Sequence, residues 1–321
     1  MLLGLRVPTN VRGERTVPGE TIFSFARKAE ERKFHSLWVM DHLLDNKPAT
    51  DYSYLDPLKV ITAMASVTKN IRVGSSLLIA PLRNPVLLAK EIATMDWLSE
   101  GRIEFGIAPG WLKSEFDALQ IPFESRGKRT DEIMEVILKL WTQNDVTYEG
   151  EFFKLSHVTI DPKPIHKPYP PVTIGGGSVP NPRPDTKISL HSVFKRIAKY
   201  ANRWHATSLS NLELIAKDFD QISKYAIEFG RKPEDIEIWQ TAYMYVAETM
   251  EEAKTAYKGF TGKDLTESAT KSGYLVGTKE DILQKIEERE KFGVKGMVLS
   301  PLTYDVGQVD VWYDQILSKL S

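Results

Sequence analysis

The stretch IRVGSSLLIAPLRNPVLLAKEIATMDWLSEGRIEFGIAPGW, residues 71–111, carries a strand, a capped helix and a second strand in direct succession. Ile71–Ile79 is mostly aliphatic and β-branched, as a buried strand is. Asn84-Pro85 then supplies an N-cap followed by a proline at the first helical position, where its missing N–H is no loss. Val86, Leu87, Ala89, Ile92, Ala93 and Met95 give the helix its apolar side, Gly101 lies just past its end, and Arg102–Ala108 reads as the next strand. Two strands joined by a helix lie parallel, because the crossover returns the chain to the same end of the sheet.

The same alternation extends in both directions. Strands are expected at Leu3–Val7, Ser36–Met40, Val172–Ile174, Arg203–Thr207, Ile236–Val246 and Gly296–Leu299, making eight in all. Between them, Thr130–Trp141 and the run Leu212, Ile215, Phe219, Ile222, Ala226, Phe229 show apolar residues at three- and four-residue spacing, the mark of helices with one buried stripe. Eight strand–helix units fit a closed barrel or an open doubly wound sheet. The open sheet usually carries a glycine-rich fingerprint after its first strand, and here Pro8-Thr9-Asn10 stands instead. The expectation is a (β/α)8 TIM barrel, a single domain over residues 1–321, with insertion segments at its C-terminal face.

Three segments break the pattern. Residues 143–171 read as an insertion covering one barrel end, with a hairpin of Val146–Tyr148 and Phe152–Leu155 and an approach rich in proline. Residues 178–190 and 259–278 read as irregular lid segments.

Composition narrows the function. Lys plus Arg number 42 and Asp plus Glu 43, so no net field favours nucleic acid or an anionic membrane, and the expected partner is a small-molecule substrate. The absence of cysteine removes disulfides, thiolate catalysis and zinc–thiolate or iron–sulfur sites. No metal site is expected. The short apolar run at Met1–Val7 lacks the features of a signal peptide, no stretch has the length of a membrane span, and a cytoplasmic location is expected.

A barrel gathers its site from strand ends at the C-terminal face. After the second strand stand Asp41 and His42; an imidazole passes protons near neutral pH and an adjacent carboxylate can orient it, although such a dipeptide also serves as a loop cap. After the third, Ser76 and Leu77 lie in a run of small and aliphatic residues where a flat ring could rest, or where two serines are simply buried. After the fourth, Ala108, Pro109, Gly110 and Trp111 offer a close-approach loop with an aromatic wall, or packing alone. After the fifth, Gly175, Gly176, Gly177 and Ser178 could form an anion nest of backbone N–H groups, or an ordinary turn. Lys195-Arg196 could add cationic contacts there, and Tyr52 and Tyr54 could join Trp111 in a hydrophobic pocket; solvated or packed roles fit equally.

Six segments together resemble a known family: FHSLWVMDHLL (34–44), residues 71–111 quoted above, FESRGKRTDEIMEVILKLWT (123–142), PVTIGGGS (171–178), RIAKYANRWH (196–205) and VGTKEDILQKIEEREKFGVKGMVLSPL (276–302). They are similar to the luciferase-like monooxygenase superfamily, most of all to its deazaflavin-dependent branch, which uses coenzyme F420. The resemblance implies that Asp41 and His42 flank the reactive ring, with His42 assisting proton movement. It implies a non-prolyl cis peptide at Ser76-Leu77, a cofactor lying along Ala108–Trp111, and its phosphate on the loop Gly175–Ser178. It also implies a homodimer. Two departures matter: bacterial luciferase has a phosphate-contacting arginine where this chain has Pro109, and sugar-phosphate dehydrogenases of the deazaflavin branch have a glutamate where it has Trp111. The implied reaction is hydride transfer between coenzyme F420 and a small organic substrate. The alternatives are an FMN-dependent monooxygenase using reduced flavin and O2, and a non-catalytic flavin-binding barrel.

Overall fold

The computed structural model describes residues 1–9, 17–44, 54–180, 189–302 and 306–320. Its parallel strands are β1 (Leu2–Arg6), β2 (Ser36–Val39), β3 (Arg72–Ser75), β4 (Leu78–Ile79), β5 (Ile103–Ala108), β8 (Val172–Gly175), β9 (Arg203–Ala206), β10 (Glu237–Val246), β11 (Tyr274–Gly277) and β12 (Val294–Pro301); β6 (Val146–Glu149) and β7 (Lys154–Val158) form a separate antiparallel hairpin. The order β1-β2-β3-β5-β8-β9-β10-β12 closes on itself through the β1–β12 pairing. The expected eight-stranded barrel is present. Helices α1 (Gly19–Glu31), α2 (Pro57–Ser66), α3 (Pro85–Leu98), α5 (Arg126–Thr142), α6 (Leu190–Tyr200), α7 (Leu212–Glu228), α10 (Lys279–Phe292) and α11 (Gly307–Gln315) alternate with the strands, and α4 (Lys113–Ala118), α8 (Met250–Thr261) and α9 (Glu267–Lys271) are additions to the loops. The cap read at Asn84 holds: its side chain accepts from the N–H groups of Val86 and Leu87.

Strand register divides the barrel into two chemically different faces. Leu3, Leu5, Leu37, Val73, Phe105, Ile174 and Leu299 are buried in the main apolar core that the helices cover. The alternate positions face the barrel axis and are small, polar or aromatic. Gly4 pairs with Ser36 and leaves room for an indole: a Cβ there would lie 2.6 Å from Trp38 Nε1. Trp38, Trp239 and Val298 fill the middle of the barrel. Below them Glu104, fully buried, bridges Arg72 and Arg203, and Arg203 also pairs with Glu237 at 2.9 Å. The lower barrel is thus closed by a neutralised ion-pair network, and only the upper, C-terminal end remains to hold a ligand.

Three local expectations are corrected. The hairpin does not lie across a barrel end; it packs on the outside of α5, with Tyr148 Oη donating to Glu135 at 2.9 Å and the N–H groups of Glu151, Phe152 and Phe153 donating to Glu132. The apolar edge it offers, Val146 and Leu155, joins the helix-layer core. Residues 259–278 are not wholly irregular: α9 lies there, and β11 extends the sheet by pairing with Tyr243–Val246, the half of β10 that β9 leaves uncovered. The strand expected over 71–79 is two, β3 and β4, separated by a cis peptide at Ser76-Leu77. Asn10, Tyr52 and most of the proposed lid at 178–190 lie outside the described residues.

Candidate active site

Because all barrel strands run parallel, every sequence-predicted site residue leaves the same rim: Asp41 and His42 after β2, Ser76 and Leu77 between β3 and β4, Ala108 to Trp111 after β5, and Gly175 to Ser178 after β8. Their individual contacts separate their roles.

His42 is held by a carboxylate, but not by Asp41. Its Nδ1 lies 3.1 Å from Oε1 of Glu115, a fully buried residue in α4, and the same oxygen accepts from the Leu43 N–H at 2.6 Å. Because Oε1 already accepts the Leu43 N–H, the ring contact is a further donation to this oxygen, with Nδ1 as the donor and Nε2 left as the available nitrogen. Nε2 makes no hydrogen bond among the described residues. Tyr54 and Trp111 flank the ring, with centroids 4.8 Å and 5.7 Å away. Tyr54 and Trp111 thus pack against His42.

Asp41 instead fastens the backbone beyond the cis bond. Its Oδ2 accepts from the Ile79 N–H at 2.8 Å and from Arg83 at 3.2 Å. Burial pushes its carboxyl up, opposed by Arg83 and the Ile79 N–H.

The cis peptide presents Leu77 to the neighbouring strands. A Cβ on Gly175 would fall inside the radius of Leu77 Cδ1, and one on Gly106 would lie 3.0 Å from Cδ2. Gly175 therefore gives Leu77 its place, and this half-buried leucine forms an apolar step on the rim. Beside it Ala108, Pro109, Gly110 and Trp111 are half-buried, with Gly110 at φ +78° seated against Ile79 and Phe116.

In the glycine loop, Gly176 and Gly177 have φ of +138° and +154°, a backbone open to glycine but not the alternating right- and left-handed pattern of an anion nest, and the anion beside the loop is the protein's own. Asp218 of α7 accepts from Ser178 N–H and from Ser178 Oγ, both at 2.6 Å. Burial pushes the Asp218 carboxyl up, and the two Ser178 bonds oppose it. Of the Lys195-Arg196 pair, Arg196 is buried and joins α6 to α5 through Asp131 at 2.7 Å, so it does not serve the loop.

The family model described as luciferase-like monooxygenase matches residues 1–296. The chain belongs to this family. Among its relatives, an FMNH2-dependent dimethylsulfone monooxygenase of Pseudomonas putida is 28% identical over 60% of this chain and 49% of its own length. An F420-dependent glucose-6-phosphate dehydrogenase of Amycolatopsis mediterranei is 28% identical over 73% of this chain and 67% of its own. The luciferase-like chain thus spans about half the length of the first relative and two thirds of the second. Among solved structures, the monooxygenase RslO1 from Streptomyces bottropensis superposes with a TM-score of 0.83 at 21% identity, covering 100% of both chains. An F420-dependent secondary alcohol dehydrogenase superposes with a TM-score of 0.80 at 18% identity, over 99% and 98%. These two share the fold of the luciferase-like chain.

The residues at the upper end of this luciferase-like barrel suit a flat flavin-type ring in kind: Leu77 and Ala108–Trp111 are half-buried and largely apolar, and His42, held by Glu115, leaves the same rim. The phosphate end fits only in part. Gly177 N–H makes no hydrogen bond among the described residues, whereas both donors of Ser178 are engaged by Asp218. Sequence reasoning missed Glu115 and Asp218. Glu115 has no detectable signal, standing 73 residues from its imidazole. Asp218 had one: it interrupts the buried stripe of α7 between Ile215 and Ile222, where a carboxylate requires a partner.

Proposed function

We propose that this chain is an oxidoreductase that transfers a hydride between coenzyme F420 and a small organic substrate at the C-terminal rim of the barrel. The observation that carries the reading is the His42–Glu115 pair on the rim that also carries Leu77 and the Ala108–Trp111 loop: an imidazole with one nitrogen fixed by the carboxylate and the other available. When bound, the cofactor supplies two-electron redox chemistry. The chain's own residues do the rest. Leu77, Ala108, Pro109, Gly110 and Trp111 hold and desolvate the ring, with Ser76 in the turn that presents Leu77; Gly177 offers its N–H to the phosphate, the Gly176 N–H being given to the His205 carbonyl. His42 Nε2 takes or returns the proton that accompanies substrate oxidation or reduction, and Glu115 stabilises the imidazolium so formed. Asp41 acts by fixing the backbone on which Leu77 sits.

A second reading, an FMN-dependent monooxygenase using reduced flavin and O2, is favoured by the full-length likeness to RslO1. Titration with coenzyme F420 and with FMN, followed by visible absorbance, decides between them. The proposal expects saturable F420 binding at least about tenfold tighter than FMN, a gap of ~1.4 kcal/mol. Tighter FMN binding with substrate-dependent oxygen uptake replaces it with the monooxygenase reading. Binding of either without redox turnover leaves a non-catalytic flavin-binding barrel.

We further propose one domain over residues 1–321, a cytoplasmic location and a homodimer. Among the described residues no helix is long and apolar enough to cross a membrane. The homodimer is supported by Leu87 and Leu98 on α3, 59% and 65% exposed.

A further inference from the structure

Of the described arginines, Arg6 alone has a side chain that makes no hydrogen bond and no ion pair among the described residues. Its counterparts are fastened to carboxylates, as Arg72, Arg83 and Arg196 are, or to backbone carbonyls, as Arg102 and Arg231 are. Arg6 ends β1, pairs in register with inward-facing Trp38 of β2, and is half-buried. Its guanidinium lies over the ring of Tyr243, 5.1 Å from the centroid. Tyr243 in turn stacks on Tyr274 at 5.4 Å and meets Phe260 at 5.2 Å, so the cation rests against an aromatic wall.

Hydrogen-bonding groups without partners among the described residues stand on the adjoining strand β12, on the segment after β1 and on β9. The register that pairs Leu5 with Leu299 sets Arg6 beside Ser300, which also pairs with Tyr243, and the buried Ser300 hydroxyl has no partner. Thr9, three residues beyond Arg6 and 1% exposed, is likewise unpartnered at Oγ1. His205 is buried, and its Nδ1 has no partner. Burial, with the Arg6 charge as the second cause, pushes this imidazole down to about 3, so it is neutral and does not compete for an anion's place as a second cation.

A half-buried guanidinium with no acceptor among the described residues, next to the idle Ser300 hydroxyl, is unfavourable unless an acceptor arrives. Its planar fork matches a carboxylate or another flat oxyanion. β1 and β2 are neighbours, so Arg6 and His42 open onto the same rim.

We propose that Arg6, with the Ser300 hydroxyl, receives an anionic group of the substrate, which makes the substrate an organic acid whose apolar part lies beside the Tyr243–Tyr274 stack. The inference rests on the oxidoreductase reading for the word substrate; the anion site itself does not. Benzoate and its neutral isostere benzamide are therefore the probes, titrated by calorimetry into the full chain without cofactor. Benzoate is expected to bind about tenfold or more tightly than benzamide, a difference of ~1.4 kcal/mol. Arg6→Met should abolish the difference, Arg6→Lys restore part of it, and Ser300→Ala weaken benzoate a few-fold. Equal binding of the two probes, no saturable benzoate binding, or a preference that survives Arg6→Met overturns the proposal. A lowered melting temperature in Arg6→Met with no benzoate effect in the parent assigns Arg6 to packing on Tyr243 and also overturns it. Cofactor titration of Arg6→Met separates the sources of the anion: affinity within a few-fold of the parent is expected, and a loss above about tenfold assigns Arg6 to the cofactor's own anionic groups instead. Should neither F420 nor FMN bind the parent chain, the redox reading fails while the benzoate preference remains.

Discussion

The imidazole of His42 meets the buried carboxylate of Glu115 with Nδ1 and Oε1 3.1 Å apart. The pairing fixes which nitrogen is free, and it separates proton transfer from binding. His42→Ala should leave cofactor affinity within a few-fold while lowering turnover about 10²–10⁴-fold, the range for a positioned acid–base group. Glu115→Ala should do both kinds of harm, since its Oε1 also accepts from Leu43 N–H: removing an acceptor from buried donors costs roughly 1–3 kcal/mol. Single-turnover kinetics and thermal melts read the two effects. Unchanged turnover in His42→Ala would remove the imidazole from the mechanism.

Leu77 and Gly175 occupy space that only one of them can fill. Gly175→Ala puts a methyl where Leu77 Cδ1 stands, so the leucine must leave its place. The fold should survive with a melting temperature within several degrees, whereas cofactor affinity should fall about tenfold or more. Leu77→Ala added to Gly175→Ala should recover part of the loss. If the double variant binds no better than the single one, the steric account is wrong.

His205 links stability to acid. The unfolded chain takes up a proton at this imidazole below about pH 6.5, and the folded chain, in which burial holds the value near 3, does not. Folded stability must then fall as the pH drops through that window, by ~1.4 kcal/mol per pH unit for the one proton. His35, pushed down to about 4 by burial and by Arg203 and Arg72, acts in the same direction. Urea denaturation between about pH 6 and pH 4 should show a slope shallower by close to one proton in His205→Gln. Parallel slopes in the two proteins contradict a buried neutral His205.

Leu98, on the outer face of α3, tests the oligomer. Light scattering should give twice the mass of one chain at micromolar concentration, and Leu98→Lys should shift the protein towards the monomer, since a charge buried at an interface without a partner is strongly unfavourable. A parent protein that runs as a monomer removes the homodimer.

The sequence by itself determined the barrel. Periods of two and of three to four residues, the Asn84-Pro85 cap and the glycines after helices are local signals, because hydrogen bonding and burial along one element depend on near neighbours. β11 escaped because Tyr274–Gly277 is short, follows Gly273 and ends on a glycine, so nothing local distinguishes it from a loop; its pairing with β10 makes it a strand. The strand ends were legible as candidates, yet their partners were not. Whether Asp41 orients His42 or anchors Ile79, whether Ser178 waits for a phosphate or already serves Asp218, and whether Gly175 frees the backbone or makes room for Leu77 depend on residues 38, 40 and roughly a hundred positions apart. Only closure of the barrel brings those groups within bonding distance, and a hydrogen bond or a steric contact acts over a few ångströms of space, whatever the separation along the chain.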